Sequence, residues 1–429
     1  MTEFHEHHEE WQKQLVKCIR CGTCRSVCPV FKEENNENTT ARGKVKLLES
    51  VVEGKLELTP ILQERFSKCL LCKACVSGCP SGVKTDELFL SARQAVVSKN
   101  GLSIAKRLAF TGLTYRKLFD FGLRIGARFQ NLVLKEAPDG RGRIPRVLLP
   151  GAGLNNRRII PSLAKRTLRS QLPIVSHVDK PRARVAFFTG CMLNYIYPKA
   201  GQAIVNILQR NKIEVVIPEN QCCCGTPAFT SGDQDTGRYL AGQNIKALSG
   251  EFDAIITGCA SCGSALQHEY GQILTDPWMK DEWQKIASKV YDITTYLVKF
   301  CDLKGLGPVN MKVTYHDACH LVRGMGVSKE PRQIFAAIPG LEFREMQESD
   351  KCCGGAGSFS MAYYELARKI NDHKLDHAEA TGADCLVTGC SACRMHITDG
   401  LSQRNSNLKI MHTAELIELS YKAGQKEEN

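Results

Sequence analysis

Nowhere does this 429-residue chain run apolar for the ~18 residues that a membrane-spanning helix needs, so it is not expected to cross a bilayer by itself. The N-terminus, from Met1 to Glu10, lacks the apolar region of a secretory leader. That points to a reducing, cytoplasmic setting and away from a secreted disulfide framework. No flavin or nicotinamide fingerprint stands out either. The glycine run Gly354 to Gly357 follows two cysteines and lacks the later acidic partner of a dinucleotide site, so it reads as tight backbone beside a metal group. Hydride chemistry would have to come from another chain.

What is present in excess is cysteine. Hydrophobic content of 43% and charged content of 24% are ordinary, whereas 21 cysteines are not. A chain of this length is expected to fold as two or three domains. Net charge is +12, and the segment from Gly101 to Lys180 alone holds 16 Lys/Arg against 4 Asp/Glu, which equals the whole excess. Such a stripe can face nucleic acid, anionic lipid or an acidic partner, or be a solvated connector. It includes an amphipathic stretch, Leu108 to Lys135, followed by a region broken by Pro138, Gly140, Gly142, Pro145, Pro150, Gly151, Gly153 and Pro161. His5, His7 and His8 read as a polar tail.

Two repeats organise the rest. In the first, Cys18-x2-Cys21-x2-Cys24-x3-Cys28-Pro29 returns as Cys69-x2-Cys72-x2-Cys75-x3-Cys79-Pro80, with a helical-looking stretch, Ala41 to Phe66, between them. In this bacterial ferredoxin run three cysteines wrap one cubane and the fourth ligates the other. One cluster is thus expected on Cys18, Cys21, Cys24 and Cys79, and the second on Cys69, Cys72, Cys75 and Cys28. Zinc also takes Cys-x2-Cys pairs but rarely in such a run.

The second repeat is longer. Apolar runs at Val185–Thr189 and Val313–His316 lead to Cys191 and Cys319; later strands at Glu214–Ile217 and Leu341–Phe343 lead to Cys223-Cys224-Gly225 and Cys352-Cys353-Gly354. Then Ala254–Cys259 mirrors Cys385–Cys390, each followed three positions on by Cys262 or Cys393. Strands alternating with helical stretches predict two α/β units with mainly parallel sheets and ligands at strand C-termini. Between Cys191 and Cys223 lie 31 residues and between Cys224 and Cys259 lie 34; the second set has 32 and 36. Five thiolates exceed what zinc or a cubane takes, so an unusual cluster is implied. Cys222 is a substitute ligand candidate, although an extra cysteine is more often a buried hydrophobe, as Cys301 and Cys385 are read to be. His316 and His320 flank Cys319 and suit either tuning of a cluster or a core role. On that ground the Cys319 set is expected to be the better electron acceptor, nearer the exit.

With these motifs the chain resembles the CCG-domain iron–sulfur proteins, which include heterodisulfide reductase subunits and the glycolate oxidase iron–sulfur subunit. Ala41 to Leu48, His268 to Gly271 and Tyr315 to His320 are most similar to the glycolate/lactate oxidase branch. The intact pairs Cys259/Cys262 and Cys390/Cys393 lean toward the heterodisulfide reductase type. The resemblance implies an α+β chain: an N-terminal helical two-[4Fe–4S] ferredoxin-like domain (1–100), a basic amphipathic segment and linker (101–183), and two duplicated α/β CCG domains (184–308 and 309–429). It implies one or two further, noncubane [4Fe–4S] clusters on Cys191, Cys223, Cys224, Cys259 and Cys262 and on Cys319, Cys352, Cys353, Cys390 and Cys393; some relatives hold zinc or nothing at a degenerate set. The function implied is the electron-transfer subunit of a flavin-dependent glycolate or lactate dehydrogenase, an oxidoreductase component with no catalytic residue of its own. Its partners would be the FAD-containing subunit of a 2-hydroxyacid dehydrogenase and an electron-transfer flavoprotein or quinone, with a peripheral contact at the cytoplasmic membrane face as an option and no nucleic acid. The alternative is a heterodisulfide reductase-like subunit that reduces a disulfide at a CCG cluster.

Overall fold

The computed structural model describes residues 2–146 and 158–428. The N-terminal part is helical. Its first helix, Thr2–Leu15, buries Trp11, whose indole N–H donates to Ser91 Oγ at 2.7 Å. The stretch read as one helical region from Ala41 to Phe66 divides into helices Ala41–Val52 and Pro60–Ser67. Gly54, at φ 71, ends the first, and Pro60 starts the second behind the Thr59 cap, where its missing N–H costs nothing. Phe66 packs against Phe89 of helix Thr85–Asn100, ring centroids 5.9 Å apart and tilted by 55°, closing a small core.

The amphipathic stretch also divides, at Tyr115, into helices Ile104–Thr114 and Arg116–Val133. Part of the expected linker is an antiparallel hairpin of β1 (Leu134–Glu136) and β2 (Arg143–Pro145), with Gly140 turning it at φ 71. Pro150, Gly151 and Gly153 lie outside the described residues. Gln130 anchors the second helix through a two-way amide bond to the backbone of Leu163, at 3.0 Å each way. The other side of that helix leaves Leu118, Phe121, Ile125, Phe129 and Leu132 exposed.

Two α/β units follow. In the first, β3 (Val175–Ser176), β4 (Ala183–Phe188), β5 (Ile213–Val216), β6 (Ala254–Thr257) and β7 (Val290–Asp292) form a sheet in the order β3-β5-β4-β6-β7, parallel apart from β3. In the second, β8 (Met311–His316), β9 (Leu341–Phe343), β10 (Cys385–Thr388) and β11 (Lys409–His412) lie all parallel in the order β11-β10-β8-β9. Without β3, the two orders are one topology written twice. The continuous apolar runs are explained by burial on both faces, since Val185, Ala186, Phe187 and Phe188 are all fully covered. Register places Phe188 beside Thr257 and His316 beside Thr388, so each set of cysteines begins at the C-terminal ends of a matched strand pair.

The units pack on each other. Helix Pro198–Arg210 lies against Thr413–Glu428, joined by Asn206 Nδ2 to Glu418 Oε1 at 2.5 Å, and His412 Nε2 meets Gly258 O at 2.6 Å. The N-terminal domain sits across both. Lys73 Nζ reaches Glu269 Oε1 of the first unit at 2.7 Å, and His320 Nε2 of the second unit meets Leu71 O at 3.3 Å.

Candidate metal centre

The ferredoxin-type loops are wound by left-handed residues at matching places. Arg20 and Gly22 (φ 58 and 87) in the first loop correspond to Leu71 and Lys73 (φ 50 and 60) in the second. A side chain in this region costs on the order of 1–2 kcal/mol, a strain that only a defined site sustains. The winding turns backbone N–H groups inward, as at Leu71, whose N–H donates to Cys69 Sγ at 3.5 Å. One cavity is lined by Cys18, Cys21, Cys24, Cys75 and Cys79; a second is lined by Cys28, Cys69, Cys72 and Cys75, so that Cys75 borders both. Beside the second, the buried ammonium of Lys44 holds the carbonyls of Thr39 and Lys68 and faces Cys69 and Cys28. Burial pushes Cys28 up to about 11 and Cys75 further above the ordinary thiol range, so both need a cation to stay deprotonated.

In the α/β units the glycine after each cysteine pair has a steric reason. Gly225 and Gly354 sit at φ 81 and 84, and a Cβ on Gly354 would lie 2.6 Å from Ala367 O. The turn also lets the Gly354 N–H donate to Cys352 Sγ at 3.4 Å. Asn244 and Asn371, on the long helices that follow, donate at 2.9 and 3.0 Å to Cys223 O and Cys353 O, the first cysteine of one pair and the second of the other.

Followed through space, the thiols make one unbroken line. Cys72 meets Cys352, and that contact and burial lift it well above the usual range. Cys319 is raised in the same way by Cys352. Cys353, between Cys352 and Cys393, is held well below it. Cys390 is held down by Cys259 across the boundary between the units, and by Cys393. From Cys259 the line runs to Cys262, which is raised by Cys224 and Cys259. Cys224, lowered by Cys223 and Cys262, leads to Cys223, which is raised by Cys191. All 21 cysteines are unpaired by disulfides. Buried thiols converging in this way form a soft, anionic donor set once deprotonated, and such a set fits iron–sulfur groups.

The Cys319 set is thus interior to the line, against the ferredoxin-type thiols, and the Cys191 set is terminal, the reverse of the order expected from the flanking histidines. His320 Nε2 binds the carbonyl of Leu71. Cys222 turns its thiol toward Asn244 Oδ1 (3.4 Å) and Leu240 O (3.5 Å), while lining a small cavity with Cys191 and Cys223. Cys385 is fully buried in β10, as an inert hydrophobe would be, and Cys301 is half-buried at the end of helix Ile293–Phe300.

Several residues at the site carry little sequence signal. Arg169, on a short turn, donates to Thr189 Oγ1 and Gln221 O beside the Cys191 set, and with Arg116, Arg124 and Tyr195 it lines an adjoining cavity of about 240 Å³. In sequence it is one basic residue among sixteen. Glu269 and Tyr270 belong to a stretch whose sequence signal is family likeness alone. In space Glu269 pairs with Lys73, and Tyr270 donates to Cys224 O at 3.0 Å.

Residues 14–83 match the 4Fe-4S dicluster domain family, and residues 185–267 and 313–398 each match the cysteine-rich domain family, CCG. Fold and site therefore define a two-cluster ferredoxin-type module followed by tandem cysteine-rich domains. The chain is 31% identical to the probable glycolate oxidase iron–sulfur subunit of Bacillus subtilis, over 97% of this chain and 96% of that one. Lactate utilization protein A 2 of Bacillus cereus (strain Q1) is 30% identical over 54% of this chain and 97% of its own length. One of the subunits of the fumarate reductase (CoM/CoB) of Methanothermobacter marburgensis is 30% identical, over 96% of this chain and 74% of that one. A hypothetical protein from Helicobacter pylori shares the fold, with a TM-score of 0.50 at 10% identity over 89% of this chain and 68% of that one. The chain belongs to the CCG-domain iron–sulfur proteins, in the branch of the glycolate/lactate oxidase iron–sulfur subunits, and its N-terminal domain is a carrier of two [4Fe–4S] clusters. Among the described residues no helix is long and apolar enough to cross a membrane.

Proposed function

We propose that this chain is the electron-transfer subunit of a flavin-dependent 2-hydroxyacid dehydrogenase of the glycolate or lactate type, taking electrons from an FAD-containing partner and passing them to a quinone or another acceptor. The observation that carries this reading is the line of thiol contacts from Cys72 to Cys191. Iron–sulfur clusters held there supply one-electron steps, which divide the two-electron output of a flavin. Cys18, Cys21, Cys24 and Cys79 hold one N-terminal cluster, and Cys69, Cys72, Cys75 and Cys28 the other. The five thiols of the Cys319 set and the five of the Cys191 set hold one each.

Entry lies at the first ferredoxin-type loop, where Cys21 is exposed. Exit lies at the Cys191 set, beside the cavity of Arg116, Arg124 and Arg169. There the exposed apolar side of helix Arg116–Val133, flanked by Lys117, Arg124 and Arg128, gives a basic and apolar surface for the acceptor side, whether a protein or the face of a bilayer. Lys73 and Glu269 hold the N-terminal domain in register with the sets.

Purification of the native complex with iron and flavin analysis tests the reading. The expected result is a flavoprotein co-purifying with the chain, 2-hydroxyacid oxidation only when both are present, and about 16 iron atoms per chain at four per cluster. Zinc in place of iron would end it. A second reading has one observation in its favour: a 240 Å³ cavity, large enough for a small disulfide, adjoins through Arg116, Arg169 and Tyr195 the small cavity lined by Cys191, Cys222 and Cys223. Two electrons and two protons would then cleave the S–S bond to two thiols. Oxidation of the reduced, isolated chain by added disulfide would select that reading.

A further inference from the structure

Three buried histidines and the half-buried His320 lie near the thiols of the second unit or its boundary with the first, and three of the four have a backbone partner. His320 Nε2 meets Leu71 O, His396 Nε2 meets Ala367 O at 3.2 Å, and His412 uses both nitrogens, toward Gly258 O and the Ala414 N–H. His316 is different. It is wholly buried at the end of β8; its ring approaches the backbone of Ser349, but neither Nδ1 nor Nε2 makes a hydrogen bond of good geometry. A buried imidazole without either partner is expensive, and native structures rarely leave one unless a further group is to be bound.

The ring is aimed at the cysteines. One of its nitrogens and the Sγ atoms of Cys353 and Cys393 all lie within 4.8 Å of one another. No hydrogen bond joins nitrogen to sulfur. Imidazole and thiolate donors bound to one transition-metal ion, at bond lengths of about 2.0–2.3 Å, leave donor atoms at such separations.

The duplicated unit supplies the control. Phe188 ends β4 in the register that His316 occupies in β8, facing Thr257 as His316 faces Thr388. Its ring edge and Cys262 Sγ flank the same point, 3.6 and 3.0 Å from where a Cβ on Gly190 would be. The scaffold therefore accepts a carbon ring here without loss of the fold, and only the second unit puts nitrogen there.

We propose that His316 donates a ring nitrogen to the iron of the Cys319 set, so that this set is mixed thiolate and imidazole while the Cys191 set is thiolate alone. The proposal rests on the reading that the Cys319 set holds an iron–sulfur group. His316 joins the five thiolates as a neutral donor and displaces none of them, so the two sets differ by one imidazole.

The test uses the full chain, purified anaerobically, in natural-abundance and 15N-histidine forms, with pulsed EPR of the reduced protein. Nitrogen hyperfine coupling is expected, changing from the 14N to the 15N pattern on labelling. His316→Phe, which copies the first unit, is expected to lose the coupling while keeping its iron; His320→Asn and His396→Gln are expected to keep it. His316→Cys is expected to lower the potential of that signal. Phe188→His is expected to add a second nitrogen-coupled signal. Absence of coupling in the labelled wild type, or its persistence in iron-replete His316→Phe, overturns the proposal. If Cys352→Ser/Cys353→Ser leaves the iron content of the wild type unchanged, the Cys319 set holds no iron, and the underlying reading falls together with the proposal.

Discussion

At the end of β4 stands Phe188; at the end of β8, in the same register, stands His316. Before the first cysteine pair comes Cys222, and before the second Lys351. At the helix that follows the last strand of each unit, Asp292 caps the first, accepting from Thr294 N at 2.8 Å, while His412 Nδ1 accepts from Ala414 N at 3.1 Å in the second. Strand order and glycine turns agree, whereas the asparagine clamps hold the first cysteine of one pair, Cys223, and the second of the other, Cys353. The difference is in the surroundings: the Cys319 set abuts Cys72 of the N-terminal domain, and the Cys191 set abuts an arginine-lined cavity. Duplication sets the positions of the thiols, and the unduplicated neighbours give those positions an order.

The largest effect is expected from breaking one set at a time. Cys224→Ser should reduce electron delivery to the acceptor by roughly 100-fold, as loss of metal-site support commonly does, yet leave the Cys319 set reducible. EPR of the variant and the wild type under the same reductant checks this; loss of the Cys319-set signal in Cys224→Ser would mean that the sets assemble as one unit. Next in size is the joint between domains. Lys73→Met leaves Glu269 buried and without its cation, which should cost about 3–5 kcal/mol. Adding Glu269→Gln should recover most of it, and chemical denaturation of the loaded protein would show whether it does.

A smaller effect separates the two helix caps. Burial raises Asp292 to about 6, so the native state favours its protonated form. Its contribution is full below the unfolded carboxylate range and is lost as pH rises through about 6. Asp292→Asn, which keeps a capping oxygen, should therefore gain stability relative to wild type between pH 4 and pH 7, by on the order of 1–3 kcal/mol. Burial lowers His412, so its own contribution runs the other way and is lost as pH falls. Melting temperatures at the two ends of that range test the sign, and an unchanged gap between the proteins would contradict it. The smallest effect on folding is expected at the exposed helix face. Phe121→Ser with Ile125→Ser should alter stability by no more than about 0.5 kcal/mol while weakening association at the acceptor side, measured with anionic vesicles and with the acceptor protein. Unchanged binding to both would make the face a connector.

Much of this is legible in the sequence for one physical reason: metal ligation demands fixed spacing. The ferredoxin runs, the duplicated sets and the strands at Val185, Glu214, Leu341 and Cys385 announce themselves because cysteines must follow strand ends and glycine must follow the pair. What spacing does not convey is adjacency. That Cys72 touches Cys352, or that Cys259 touches Cys390, depends on how three folded units pack, and His316 and His320, taken by their places in the sequence, point to the opposite order along the line. The division of the amphipathic stretch at Tyr115 is hidden too, since helical periodicity continues on both sides of the break. Arg169 and Lys44 owe their importance to burial, which the charge count does not register.

The central claim, that electrons reach the Cys191 set only through the Cys319 set, is tested most directly by mixing Cys353→Ser with the reduced flavoprotein partner and following the cluster signals in time. Reduction of the two N-terminal clusters should proceed as in wild type, while reduction of the Cys191 set and turnover with the acceptor fall by roughly 100-fold. Reduction of the Cys191 set at the wild-type rate would contradict the account, and failure to reduce the N-terminal clusters would show that electrons travel the line in the opposite direction.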